Sequence, residues 1–254
     1  MQLFTPVALP PAPFRLTPVS RVLTLGSCFA QHIGQHIAAA LPDGHALVNP
    51  FGPLYAPQVI AHHLRLLRDT APLPDATYFE GVEGMWHNRW FSTHVSSAEF
   101  ATCRRLTTDA LSAARDLLRR ADVLVLTLGT DRCYRLPDGR LVANCHKQPA
   151  AAFTEHAADV ETLTSDLRCA LDSLRARRPE LQVVWTVSPY RYDKYGLHAS
   201  QLAKARLLLA VDALCATDER SVYFPAYELL LDELRDYRYY ARDLLHPSDT
   251  AVEL

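Results

Sequence analysis

The sequence predicts an α/β fold in which a parallel sheet of five strands is covered by helices on both faces. Three observations predict it. Short apolar, β-branched runs recur at 19–25, 46–48, 123–128 and 183–187, with a weaker fifth at 222–224, and each has the length and composition of a buried strand. Longer segments with helical spacing separate them, at 28–40, 57–69, 97–120, 155–178 and 199–216, which is how parallel neighbours are connected. The 254 residues with 49% hydrophobic content suffice for one substantial core, so a single domain over 1–254 is expected.

Taken in order, residues 1–18 hold five of the seventeen prolines and little periodicity, which suits an extended arm lying over the domain. Strand 19–25 leads into helix 28–40, and strand 46–48 into helix 57–69. Two insertions interrupt the alternation. The first, 76–96, alternates aromatic residues and glycines; the second, 131–146, contains Pro137-Asp138-Gly139, a hairpin turn by composition. Ser96 with Glu99 three residues on reads as a capping box opening helix 97–120. The closing AVEL starts a helical pattern inside which the chain stops, as a truncated C-terminal segment would.

Composition narrows the function. Twenty-six basic and 28 acidic residues leave a formal charge of −2, so nothing electrostatic favours nucleic acid or an anionic membrane as partner. The N-terminal MQLFTPVALPPAPF has no basic stretch followed by a long apolar run, hence neither secretory signal nor membrane span is visible and a cytoplasmic location is expected. Six dispersed cysteines without a CxxC pair predict reduced thiols. His32 and His36 lie one helical turn apart but lack the glutamate and third ligand of a zinc site, so no metal is assigned.

Candidate chemistry sits at the ends of the first and last strands. In an open parallel sheet ligands bind beyond the carboxyl ends of the strands, and Arg21 to Phe29 runs from strand through the Gly26 turn into a helix with Ser27 at its head. A hydroxyl there lies beside backbone donors able to hold an oxyanion; the plainer role is a helix cap. The second glycine of the GxSxG elbow is absent, against an α/β-hydrolase fold. In Asp243-Leu244-Leu245-His246-Pro247 the carboxylate can reach the histidine three residues on and leave its other ring nitrogen free as a base. Cys28 offers a rival nucleophile, but should point along the helix toward the core.

TLGSCFA at 24–30, NPFGPLY at 49–55, TLGT at 127–130, NCHK at 144–147, TVSP at 186–189 and YFPAYELLLDELRDYRYYARDLLHPS at 223–248 resemble the GSCFA family, in order and over nearly the whole chain. That family is similar to the SGNH, or GDSL-like, esterases and acyltransferases. The resemblance implies a three-layer α/β/α, flavodoxin-like fold with strand order 2-1-3-4-5. It makes Ser27 the nucleophile, Asp243 the orienting acid and His246 the base, with the Ser27 amide and Gly52 as oxyanion donors and Gly129 at the end of the third long strand. SGNH enzymes usually carry GxN at that strand end; here Gly129-Thr130-Asp131 stands instead, leaving Asn144 and Thr130 as candidate replacements. Asn49, His146 and His94 complete the candidate substrate-binding set, each with a plainer role as turn former or packing residue.

The expected activity is hydrolysis of an ester, an O-acyl group on a small molecule or carbohydrate, through an acyl-serine and without a cofactor. Transfer of the acyl group from acyl-CoA as co-substrate to a sugar hydroxyl is the alternative. A ligand-binding member of the fold without turnover is the alternative of another class.

Overall fold

The computed structural model describes residues 4–254. The β-branched runs form β1 (Val22–Gly26), β2 (Ala46–Val48), β6 (Val123–Leu128), β10 (Gln182–Val187) and β11 (Ser221–Tyr223), all parallel in one sheet of order β2-β1-β6-β10-β11. Counted along the sheet's own strands this is 2-1-3-4-5, the order that the resemblance implies. The helices are α1 (Cys28–Ala40), α2 (Pro57–Arg68), α3 (Phe100–Leu118), α4 (Val160–Arg175), α5 (Leu197–Cys215), α6 (Ala226–Glu228, continued by a wider turn over Leu229–Glu233) and α7 (Asp249–Glu253).

Alternation along the strands divides the core. Leu23, Leu25, Leu124, Leu126, Val183 and Trp185 face one way and pack with buried residues of α2 to α5. Val22, Val123 and Val125 face the other, under Ile37 and Leu41 of the α1 region and Phe14 of the arm. The described residues of the arm contain no helix or strand, and the Val7 N–H donates to Glu233 at 2.7 Å.

Small antiparallel sheets occupy both insertions, and each draws its last strand partly or wholly from beyond the expected bounds. Tyr78–Glu80 (β3), Trp86–Asn88 (β4) and Ser96–Ser97 (β5) make one; Arg132–Arg135 (β7), Leu141–Val142 (β8) and Thr154–Ala157 (β9) make the other, in order β8-β7-β9. The Pro137-Asp138-Gly139 turn joins β7 to β8, with Gly139 N–H donating to Leu136 O at 2.8 Å.

Two expectations fail here. The capping box does not form: the Ser96 hydroxyl donates to Thr93 O at 2.8 Å from within β5, and Glu99 itself stands at the cap of α3. Residues 155–157, expected in a helix, belong with Thr154 to β9 and pair with β7 instead. That helix begins at Val160, where the Asp159 carboxylate accepts the Thr162 N–H at 2.8 Å and so satisfies an otherwise orphaned first-turn donor.

Candidate active site

Gly26 ends β1 where no other residue fits. Its φ is +147°, and a Cβ there would lie 2.3 Å from Thr127 O on β6. The Ser27 N–H donates to that same carbonyl at 3.1 Å, which closes the ladder and places Ser27 at the head of α1. Its side chain makes no capping bond, and its Oγ is buried without a partner among the described residues. A serine that served only as a cap would accept a first-turn N–H; this one does not.

Asn49 (φ +41°) holds the turn from behind: its Nδ2 donates to Gly26 O and Ser27 O, both at 3.2 Å, and its N–H to Thr24 O at 3.0 Å. It is buried and outside the cleft's lining, so it supports the serine turn and is not placed to touch substrate, contrary to expectation.

The second element lies in the loop before α7. Asp243 Oδ1 accepts the Leu245 and His246 N–H groups, each at 3.0 Å, and Oδ2 accepts His246 Nδ1–H at 2.5 Å. Leu244, at φ +59°, makes the turn tight enough for this. These bonds, the His246 N–H first, hold the Asp243 carboxyl well below the usual carboxylate range. With Nδ1 donating, the neutral ring presents Nε2 as an acceptor. Tyr190 packs against the ring with centroids 4.2 Å apart. Ser27 and His246 line one cleft of ≈380 Å³, without a direct hydrogen bond between them.

Four backbone amides among and beside the expected oxyanion donors are already engaged. Gly52 N–H donates to Asn49 O at 2.8 Å, and Gly52 is outside the lining; Gly129 and Thr130 N–H both donate to Tyr55 O, at 2.8 and 3.1 Å. The Ser27 N–H is held by Thr127. Two side chains remain. The Thr130 hydroxyl, which accepts Arg132 N–H at 3.3 Å, and Asn144 both belong to residues lining the cleft. Asn144 Oδ1 accepts the His146 N–H at 2.9 Å and the Thr93 hydroxyl at 3.2 Å, and its Nδ2 has no partner among the described residues.

His146 and His94 do not reach the cleft. His146 is 2% exposed, packed between His87 at 4.7 Å and Phe79 at 5.3 Å, and burial pushes its pKa down to about 3. His94 is exposed beyond Ser92. Cys28, expected to face the core, lines the cleft instead; burial raises its thiol despite the Phe29 and Cys28 amides beside it, which makes it a poor nucleophile. All six cysteines are unpaired. Among the described residues no cluster of three or more His, Cys, Asp or Glu side chains could hold a metal ion, and no helix is long and apolar enough to cross a membrane.

The model of the GSCFA family matches residues 21–254. The chain belongs to the GSCFA family. Similar solved structures include an acetyl esterase, a serine-to-alanine mutant with acetate ion (TM-score 0.40, 9% identity, covering 92% of this chain and 91% of that one). A carbohydrate esterase family 3 protein from Talaromyces cellulolyticus gives 0.38, 9%, 92% and 91%. An acetyl xylan esterase from Butyrivibrio proteoclasticus gives 0.39 and 13%, covering 81% of this chain and 55% of that one. No curated protein matches the sequence.

One residue of this GSCFA chain escaped the sequence reading. Lys204 on α5 is 2% exposed, and its Nζ donates to Gly129 O and Ser188 O, both at 2.7 Å. It ties the carboxyl end of β6 to that of β10 directly behind the cleft, and burial lowers its pKa to about 7. The signal was present: Ser200, Ala203, Leu207 and Val211 are the buried residues around it on α5, so helical spacing alone puts Lys204 on the inward face.

Proposed function

We propose that the protein is a serine esterase that cleaves O-acyl esters of small molecules or carbohydrates through an acyl-enzyme at Ser27. The observation that carries the reading is the pairing, across one cleft, of a buried serine hydroxyl without a partner and an imidazole whose Nδ1 is fixed by a carboxylate. His246 Nε2 takes the Ser27 proton as Oγ bonds to the acyl carbon. The tetrahedral oxyanion is met by Asn144 Nδ2, the Thr130 hydroxyl and the positive end of α1, which carries no side-chain cap. Collapse breaks the ester C–O bond, and the leaving alkoxide takes the proton back from His246. Water, deprotonated by His246, then releases the acid and restores Ser27.

Ala56, Val59, Val142 and Ala143 give the cleft an apolar part suited to a short acyl chain, while Tyr134, Tyr190 and Tyr192 offer ring faces and hydroxyls to the alcohol. A volume of ≈380 Å³ falls in the range of small-molecule sites, roughly 300–1,000 Å³.

Intact-mass analysis with a fluorophosphonate probe tests this without knowledge of the substrate. One adduct on the wild type and none on Ser27→Ala is expected. A folded wild type that takes no adduct would replace the esterase with a binding protein.

A further inference from the structure

On the other side of β8 from the cleft lies a second cavity of ≈160 Å³, lined by His62, Thr77, Arg89, Trp90, Arg140 and Leu141. Alternation separates the two: Leu141 lines this cavity and Val142 the cleft. It is independent of the proposed esterase chemistry.

Its nitrogen groups outnumber its acceptors. The Arg89 guanidinium carbon lies over the Phe79 ring, 4.1 Å from its centroid, and among the described residues the guanidinium has no hydrogen-bond or ion-pair partner. A cation–π contact of this kind holds the group over the ring and satisfies none of its N–H groups. Burial lowers the Arg89 pKa, and the nearby charge of Arg140 lowers it further against the opposing effect of Asp138. Arg140 is itself paired with Asp138 at 2.7 Å, so the two guanidiniums and one carboxylate leave one positive charge uncompensated. His62 Nε2 is buried without a partner, on a ring packed edge-on against Trp90 at 4.5 Å. A buried polar atom of this kind ordinarily has a partner. His62 also lines the cavity, and as the Nε2–H tautomer it leaves an unsatisfied donor in the cavity wall beside the two arginines.

Donors converging on a small space with a net positive charge suit an oxyanion. The cavity is smaller than the roughly 300 Å³ that whole drug-sized ligands begin to need, so it holds one ionic group. A carboxylate offers two oxygens in one plane; a phosphoryl group offers three in different directions, suited to side chains that line the cavity from α2, from Arg89 just after β4 and from Arg140 just before β8. We infer that this cavity binds a phosphoryl group, as inorganic phosphate or as the monoester end of a small molecule.

Calorimetric titration of the full chain at constant ionic strength tests the site. Inorganic phosphate is expected to bind at one saturable site, acetate not to bind, and Arg89→Gln to weaken phosphate about tenfold or more. Ser27→Ala is expected to bind phosphate as the wild type does, which keeps this result separate from the fate of the esterase reading. A parallel titration with glycerol phosphate decides the source: tighter binding than inorganic phosphate identifies a monoester, weaker binding the free ion. The inference is overturned by absence of saturable phosphate binding at about 20 mM, by equal affinity for acetate, by unchanged affinity in folded Arg89→Gln, or by loss of binding in Ser27→Ala. Should Arg89→Gln fail to fold, Arg140→Gln, at a more exposed position, carries the same test.

Discussion

At Asn144 the neighbours decide which carboxamide atom is which. The His146 N–H can only donate, so the atom facing it must be oxygen, and the amino group is left to the cleft. Loss of one oxyanion donor typically costs about a hundredfold or more in rate, so Asn144→Ala is expected to slow probe labelling of Ser27 by about that factor. Asn144→Asp is the sharper variant, because a carboxylate still accepts from His146 and Thr93 while presenting negative charge to the oxyanion. It should lose at least as much, and an unchanged rate in folded Asn144→Asp would remove Asn144 from the site. Sequence located what short-range geometry sets: a glycine turn before Ser27, and a carboxylate three residues from His246. It misjudged Gly52, His94, His146 and Asn49, because the direction of a loop amide or ring depends on partners elsewhere. Gly52 N–H closes onto Asn49, and His146 is packed against Phe79 and His87, neither of which local spacing reveals.

At the scale of elements, the five strands and α1 lay close to their expected positions, since apolar runs between turns report burial directly. The errors fell at the starts of α3 and α4, where strand pairing with the insertions competes with helix extension and adds residues to sheets that no helical pattern announces. The contact of α1 with the sheet gives a prediction in which two known effects oppose. Replacing Gly34 by alanine in mid-helix favours α1 by up to about 1 kcal/mol. The new Cβ would lie 2.6 Å from Val48 Cγ1 and 2.9 Å from Thr24 Oγ1, and overpacking of that kind costs about 1–3 kcal/mol. Steric cost wins, so Gly34→Ala should lower the stability measured by urea denaturation by about 1–2 kcal/mol. An increase would mean that α1 can move away from β1 and β2 more freely than their packing indicates. Because Ser27 heads this helix, the labelling rate should fall along with stability.

Across the whole molecule, Lys204 joins the site to the pH dependence of folding. Its ammonium is held by two carbonyls with no carboxylate in hydrogen-bond contact, and burial outweighs the charges of Cys28 and Asp131 to bring its pKa from 10.5 to about 7. Below that value the lysine is charged in both the folded and the unfolded chain, and the folded state bears the cost of the buried charge. Between about 7 and 10.5 the unfolded chain keeps the proton that the folded one has released, so stability rises with pH, by at most ~1.4 kcal/mol per pH unit for one proton. The neutral amine retains enough N–H groups for both Gly129 and Ser188, and the brace survives deprotonation. The buried tyrosines work in the opposite direction at high pH: burial pushes Tyr55 up to about 12, so the folded chain holds its proton after the unfolded chain has lost it. The difference between proteins therefore isolates the lysine better than either curve alone. Lys204→Met loses two hydrogen bonds, an offset nearly constant with pH, while the slope difference belongs to the ionisation. Urea denaturation of both proteins across this interval should show wild-type stability gaining on the variant as pH rises. Parallel curves would mean that Lys204 stays charged in the folded protein, and the clamp between β6 and β10 would then hold a permanent positive charge behind the cleft.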